Sequence, residues 1–105
     1  MTFRRRLPNR RRSETFTYEI NGLSYTATVS RFPDGRVAEI FIQNSKPGST
    51  SDSYACDAAI SASLALQYGC PVATLRRALL RDARGAASTP LARALDLIAE
   101  MEGGQ

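Results

Sequence analysis

The stretch Lys46-Pro47-Gly48-Ser49-Thr50-Ser51-Asp52 brings together one lysine, one glycine and three consecutive hydroxyl residues ahead of an alanine-rich run. Amides exposed at a helix start, with an ammonium group beside them, can hold a phosphate or a carboxylate. Lys46, Gly48, Ser49, Thr50 and Ser51 are therefore the candidate anion- or nucleotide-binding residues. The Gly-x-x-x-x-Gly-Lys-Ser/Thr spacing of a P-loop is absent. The competing reading is structural: Ser51 or Asp52 caps the helix and Gly48 makes the bend. A second group is the arginine cluster Arg4, Arg5, Arg6, Arg10, Arg11 and Arg12. Such a cluster can grip nucleic acid through phosphates with a steep salt dependence, or serve as a solubilising tail, or dock on the protein's own acidic body.

Other chemistry is poorly supplied. The chain has no histidine, its ten acidic residues form no obvious pair, and no residue is assigned a catalytic role. Cys56 and Cys70 stand apart without a Cys-x-x-Cys pair, so neither a metal site nor a cofactor is expected. No secretory or membrane-spanning stretch is read, which places the protein in the cytoplasm with reduced thiols.

At 105 residues the chain makes one domain. A hydrophobic share of 43%, much of it alanine, predicts close helix packing in the core. Fourteen basic against ten acidic residues give a net charge of +4, and setting the six arginines aside leaves the body slightly acidic. The organisation expected is a flexible basic arm over 1–13, a single α+β domain over 14–102, and a frayed tail over 103–105.

Within the domain, Phe16, Tyr18 and Ile20 alternate with Thr15, Thr17 and Glu19, and Leu23, Tyr25, Ala27 and Val29 alternate with Ser24, Thr26 and Thr28. Asn21-Gly22 joins the two as a type I′ hairpin turn. Pro33-Asp34-Gly35 makes a second turn into a third strand, Val37 to Gln43, whose core face depends on register. The pattern predicts a three-stranded antiparallel meander followed by three helices packed on one face. The first helix, Ser53 to Tyr68, is expected to seat the series Cys56, Ile60, Leu64, Tyr68 on the sheet and to end at Gly69. Pro71 opens a second helix with Val72, Leu75 and Leu79 as its stripe and Arg77, Arg81 and Arg84 on another face. Ser88 or Thr89 caps a third, with Pro90 near its start and Leu91, Leu95 and Ile98 inward, Ala94 and Met101 filling beside them.

The segments Asp34-Gly35-Arg36-Val37-Ala38-Glu39-Ile40-Phe41-Ile42, Lys46-Pro47-Gly48-Ser49, Asp57-Ala58-Ala59-Ile60 and Ser63-Leu64-Ala65-Leu66-Gln67-Tyr68-Gly69 together resemble the TSCPD domain. That domain occurs as a C-terminal module of cobalamin-dependent ribonucleotide reductases and as small stand-alone proteins in bacteria and phages. The resemblance covers roughly Glu14 to Ile98. Where the family carries Thr-Ser-Cys-Pro-Asp, this chain reads Ala87-Ser88-Thr89-Pro90-Leu91, so thiol chemistry tied to the family cysteine has no counterpart at Thr89.

The resemblance implies a stand-alone accessory module, connected with DNA synthesis, that binds a nucleotide or a protein partner through residues 46–52 and the adjacent helix. It does not imply that this chain reduces ribonucleotides: two cysteines in so small a domain cannot supply a radical-forming cysteine, a redox pair and a shielding barrel. The alternative is a small nucleic-acid-binding regulator using the arginine arm. The small-residue helix and open sheet edges also admit a homodimer.

Overall fold

The computed structural model describes residues 3–9 and 11–103. Met1, Thr2, Arg10, Gly104 and Gln105 lie outside the described residues, so the expectations for the first two arm positions, for one of the six arginines and for most of the tail are not addressed. Strands β1 (Ser13–Ile20), β2 (Leu23–Arg31) and β3 (Val37–Asn44) form an antiparallel meander in the order β1-β2-β3. Helices α1 (Thr50–Gln67), α2 (Val72–Ala78) and α3 (Pro90–Met101) follow, which is the α+β architecture expected.

Both turns form for the reasons read in the sequence. Asn21 and Gly22 carry φ of 55° and 77°, the left-handed pair that a type I′ turn demands. The β2–β3 turn closes with Gly35 N–H donating to Phe32 O at 2.8 Å, while the Asp34 carboxylate accepts from Arg36 N at 3.1 Å. Register decides the face of β3: Ala27 opposes Ile42 and Val29 opposes Ile40, so Ala38, Ile40 and Ile42 point into the core. A register shift at Ser30/Arg31 turns Val37 inward as well. The opposite face, carrying Thr15, Thr17, Thr26, Thr28 and Phe41, has no helix over it among the described residues.

Helix α1 departs from expectation. The residues it buries are Ala55, Ala59, Ala62, Ser63, Leu66 and Gln67, while Ile60, Leu64 and Tyr68 are left 50%, 41% and 49% exposed. The small side chains win the sheet-facing side because α1 lies close along β3 and bonds to its backbone. Cys56 Sγ donates to Ile42 O at 3.3 Å. The Ser63 hydroxyl both accepts from Ile40 N at 2.9 Å and donates to Ile40 O at 3.0 Å, and Gln67 Nε2 donates to Ala38 O at 3.1 Å. These are backbone groups on the free side of β3, which would otherwise present an open edge. The alanines set the distance at which short polar side chains reach that edge. Past Tyr68, Gly69 takes φ +101°, Cys70 N–H donates to Ala65 O and Gly69 N–H to Leu66 O, completing a Schellman ending.

Helix α2 is shorter than expected and begins after Pro71, which is its cap rather than its first residue. It ends at Ala78, so Arg81 and Arg84 do not continue a helical row with Arg77. Arg81 instead reaches α3, donating to both carboxylate oxygens of Asp96 at 2.7 and 2.8 Å, where Arg76 also donates at 2.9 Å. Thr89 caps α3 by accepting from Ala92 N, with Pro90 at the first helical position. Leu91, Ala94, Leu95 and Ile98 are buried as expected, whereas Met101 is exposed. Tyr18, stacked 5.9 Å from Tyr25, donates its hydroxyl to Pro90 O at 2.8 Å and ties the first strand to the last helix. Ile40, Ile42, Leu95, Ile98 and Val29 are fully buried, each contributing about 1.5–3 kcal/mol by leaving water.

Two measurements check this packing. Ser63→Ala strands the Ile40 amide and carbonyl in a buried setting, and should cost about 1–3 kcal/mol in urea unfolding; an unchanged midpoint would show that α1 does not hold the β3 edge. The paired arginines, Arg81 first, hold the Asp96 carboxyl down to about 2 despite its partial burial, against a usual 3.8. A depressed folded-state value means that the stabilisation is complete above about pH 4 and is lost as pH falls toward 2. Asp96→Asn should therefore destabilise the protein at neutral pH and flatten that acid limb in thermal melts.

Candidate functional site

The junction between β3 and α1 is built around Asp52. The helix cap is Ser49, not Ser51 or Asp52: its hydroxyl accepts from Asp52 N at 3.1 Å. Asp52 then turns its carboxylate back over the loop, one oxygen accepting from Asn44 N at 2.9 Å and the other from Gly48 N at 3.0 Å. These two N–H groups, Asn44 first, hold the Asp52 carboxyl below its ordinary range. Asn44 closes the loop from the strand side, its Oδ1 accepting from Lys46 N at 2.8 Å, and its buried Nδ2 has no partner among the described residues. Gly48 takes φ +80°, the left-handed turn that brings its amide to Asp52.

Of the candidate anion residues, the Gly48 amide and the Ser49 hydroxyl are thus engaged internally. Lys46 and Thr50 are exposed and Ser51 is half-buried. The Thr50 and Ser51 amides lie in the first turn, where the helix offers no acceptor. Ser51 also lines a groove of about 440 Å³, with Tyr25, Tyr54, Ala55, Leu80 and Pro90 among its walls.

Cys56 sits one turn along. Burial, then the nearby Asp52 charge, pushes its thiol up, and its S–H is given to Ile42 O. That environment keeps a thiol protonated rather than nucleophilic. Among the described residues, no three His, Cys, Asp or Glu side chains are gathered where they could hold a metal ion, and no helix is long and apolar enough to cross a membrane.

Arg4, Arg5 and Arg11 of the arm have contacts on the body. Arg5 N–H donates to Gln67 O at 2.7 Å, its guanidinium pairs with Asp34 at 2.8 Å and lies 3.9 Å over the Phe32 ring, and Arg4 Nε donates to Gln67 Oε1 at 2.7 Å. Arg11 pairs with Glu39 at 3.2 Å. Arg6 and Arg12 are exposed, and Arg12 lines a cleft with Arg31 and Phe32. The structure therefore does not bring the arm to the 46–52 loop: Arg4 and Arg5 lie at the opposite end of α1.

Two features escape the pattern-based reading. One is the polar line Asp52, Cys56, Ser63, Gln67 facing β3, which its spacing of four, seven and four could have signalled as a single helix side. The other is the outward side of α1. Its exposed residues are Thr50, Ser53, Tyr54, Asp57, Ile60, Ser61 and Leu64, continued by Tyr68, and only Asp57 is charged.

Set beside known proteins, the chain is similar to short regions of much longer ones. It is 39% identical over 69 residues to a vitamin B12-dependent ribonucleotide reductase of Agrobacterium fabrum and, over the same length, to one of Rhodopirellula baltica. It is 35% identical over 71 residues to that of Streptomyces coelicolor. These matches take in 66–68% of this chain but only 5–7% of the relatives, so it spans a small fraction of the reductases it resembles. No family model and no solved structure matches the chain. The similarity supports a module related to ribonucleotide reductase.

Asp52→Ala should leave the Asn44 and Gly48 amides without their acceptor. Their hydrogen exchange should quicken by at least about tenfold while the Ala62–Leu66 amides keep their protection. Equal exchange at Gly48 in both proteins would mean that the carboxylate does not organise the loop.

Proposed function

We propose that this chain is an accessory module of the vitamin B12-dependent ribonucleotide reductase type, acting by seating the outward side of α1 on the catalytic chain of such a reductase. The observation that carries the reading is the exposed, nearly uncharged stripe Tyr54, Ile60, Leu64 on α1, continued by Tyr68 at its C-terminal cap. Solvated helix faces are ordinarily charged, and tyrosines with aliphatic neighbours are what binding surfaces place at their centres. The similarity to regions embedded in much longer reductases supports a catalytic chain as the occupant.

A nucleotide at the start of α1 is the second reading. It is favoured by the exposed Lys46, the first-turn amides of Thr50 and Ser51, and the aromatic groove that Ser51 adjoins. Against it stands the Asp52 carboxylate, already occupying the loop's Gly48 donor. Nucleic-acid contact through the arm has less support, because Arg4, Arg5 and Arg11 are satisfied by Gln67, Asp34 and Glu39.

The test is binding of a purified vitamin B12-dependent reductase to the immobilised full-length chain. Saturable binding in roughly the micromolar range is expected, weakened at least about tenfold by Ile60→Glu with Leu64→Glu and hardly changed by Lys46→Ala. No retention of the reductase, or indifference to the glutamates, discards the docking reading. Calorimetry with ATP separates the two: a heat of binding abolished by Lys46→Ala transfers the conclusion to the nucleotide.

A further inference from the structure

The sheet has two edges and only one is covered. On β3 the outward backbone groups are taken by Cys56, Ser63 and Gln67 from α1, with Asp52 closing the end at Asn44. On β1 no element among the described residues plays that part. The two-residue turn at Asn21-Gly22 fixes Ile20 opposite Leu23 and Tyr18 opposite Tyr25, so the even-numbered residues of β1 bond to β2. The amides and carbonyls of Ser13, Thr15, Thr17 and Glu19 point away from the sheet, and all four residues are exposed. The described arm does not cover them, since it crosses to Asp34 and Gln67 at the other side.

Edge strands that stay single are blunted by charged side chains, above all lysine, by proline, by bulges or by shortness. β1 has only two glutamates of these, Glu14 at one end and Glu19 at the other. It runs for 8 residues, the register irregularity falls between β2 and β3, and its sequence Ser-Glu-Thr-Phe-Thr-Tyr-Glu-Ile contains no basic residue and no proline. We propose that β1 pairs antiparallel with β1 of a second copy of this chain, joining the two meanders into one continuous sheet.

The strand is complementary to itself. With Thr17 on the two-fold axis, Thr17 faces Thr17, and Thr15 faces Glu19 of the second copy. These are the residues whose hydrogen-bonding groups point outward, so the ladder forms without moving either monomer. The same register sets Phe16 opposite Tyr18 on the core side and Glu14 opposite Ile20. No carboxylate meets another, and Glu14 is already held by Arg31 at 3.2 Å. Aromatic cross-strand pairs favour this arrangement. A shift by one residue would put Glu14 against Glu19 and turn the core face outward. Because the β3 edge is closed by α1, pairing stops at two copies rather than growing into a fibre. The outward side of α1 lies at the other edge of the sheet, so the inference does not depend on the docking reading.

Sedimentation velocity of the full chain across ~5–200 µM should show a monomer–dimer equilibrium, with the dimer dominant at the upper end. Thr17→Pro removes an N–H that the monomer does not use, and Thr17→Lys sets like charges face to face. Each should raise the dissociation constant at least about tenfold, with far-UV circular dichroism unchanged for the lysine variant if the proline disturbs the strand. Leu64→Glu should dimerise as the wild type does. A chain that stays monomeric throughout overturns the proposal. So does a dimer that survives both Thr17 variants, or one that Leu64→Glu abolishes.

Discussion

The fold rests on how α1 serves a strand that has no further neighbour. A three-stranded sheet leaves two rows of unpaired backbone groups, and burying one beneath a helix is costly unless the helix supplies hydrogen bonds. Here α1 supplies them from side chains, one serine satisfying both groups of Ile40. That demand explains the composition of the helix. Its inward face must be small enough to come close and polar enough to replace a strand, which leaves the larger apolar residues for the outside. The exposed Ile60 and Leu64 follow from the chemistry turned inward.

The two ends of α1 are served by different parts of the chain. Its first turn has Asp52 as its own negative charge, while its last turn contains no basic residue. The arm provides what is missing: Arg5 N–H caps the Gln67 carbonyl and the Arg4 guanidinium sits on the Gln67 side chain. Positive charge at a helix C-terminus is favourable, and Gln67 relays the contact to Ala38 of β3. The arginine cluster thus has an intramolecular role at α1, beside whatever it does with other molecules.

The meander was legible because its signals are local. Asn21-Gly22 and Pro33-Asp34-Gly35 dictate their turns whatever surrounds them, and Gly69 and Pro90 mark helix ends by backbone geometry alone. The orientation of α1 was not legible, because Ile60, Leu64 and Tyr68 make the more obvious apolar series and only the strand's need for partners overrides it. The cap was misplaced for a related reason. Ser49, Ser51 and Asp52 are all competent caps, and the choice falls on Ser49 because Asp52 is drawn back to Asn44 and Gly48. Arg81 reads as part of a helical row until Asp96, fifteen positions further on, is placed beside it. At the β3–α1 junction the sequence marked a turn-forming loop, but not the Asp52 carboxylate that accepts from its amides.

The bond from the Tyr18 hydroxyl to the Pro90 carbonyl spans 72 positions. During synthesis the hairpin is made long before its acceptor exists, so the Tyr18 hydroxyl, buried in the folded protein, stays in water until α3 follows. The hairpin therefore completes its side of the core only after Pro90 has been made, and until then its aromatic face, Tyr18 with Tyr25, stays open to water.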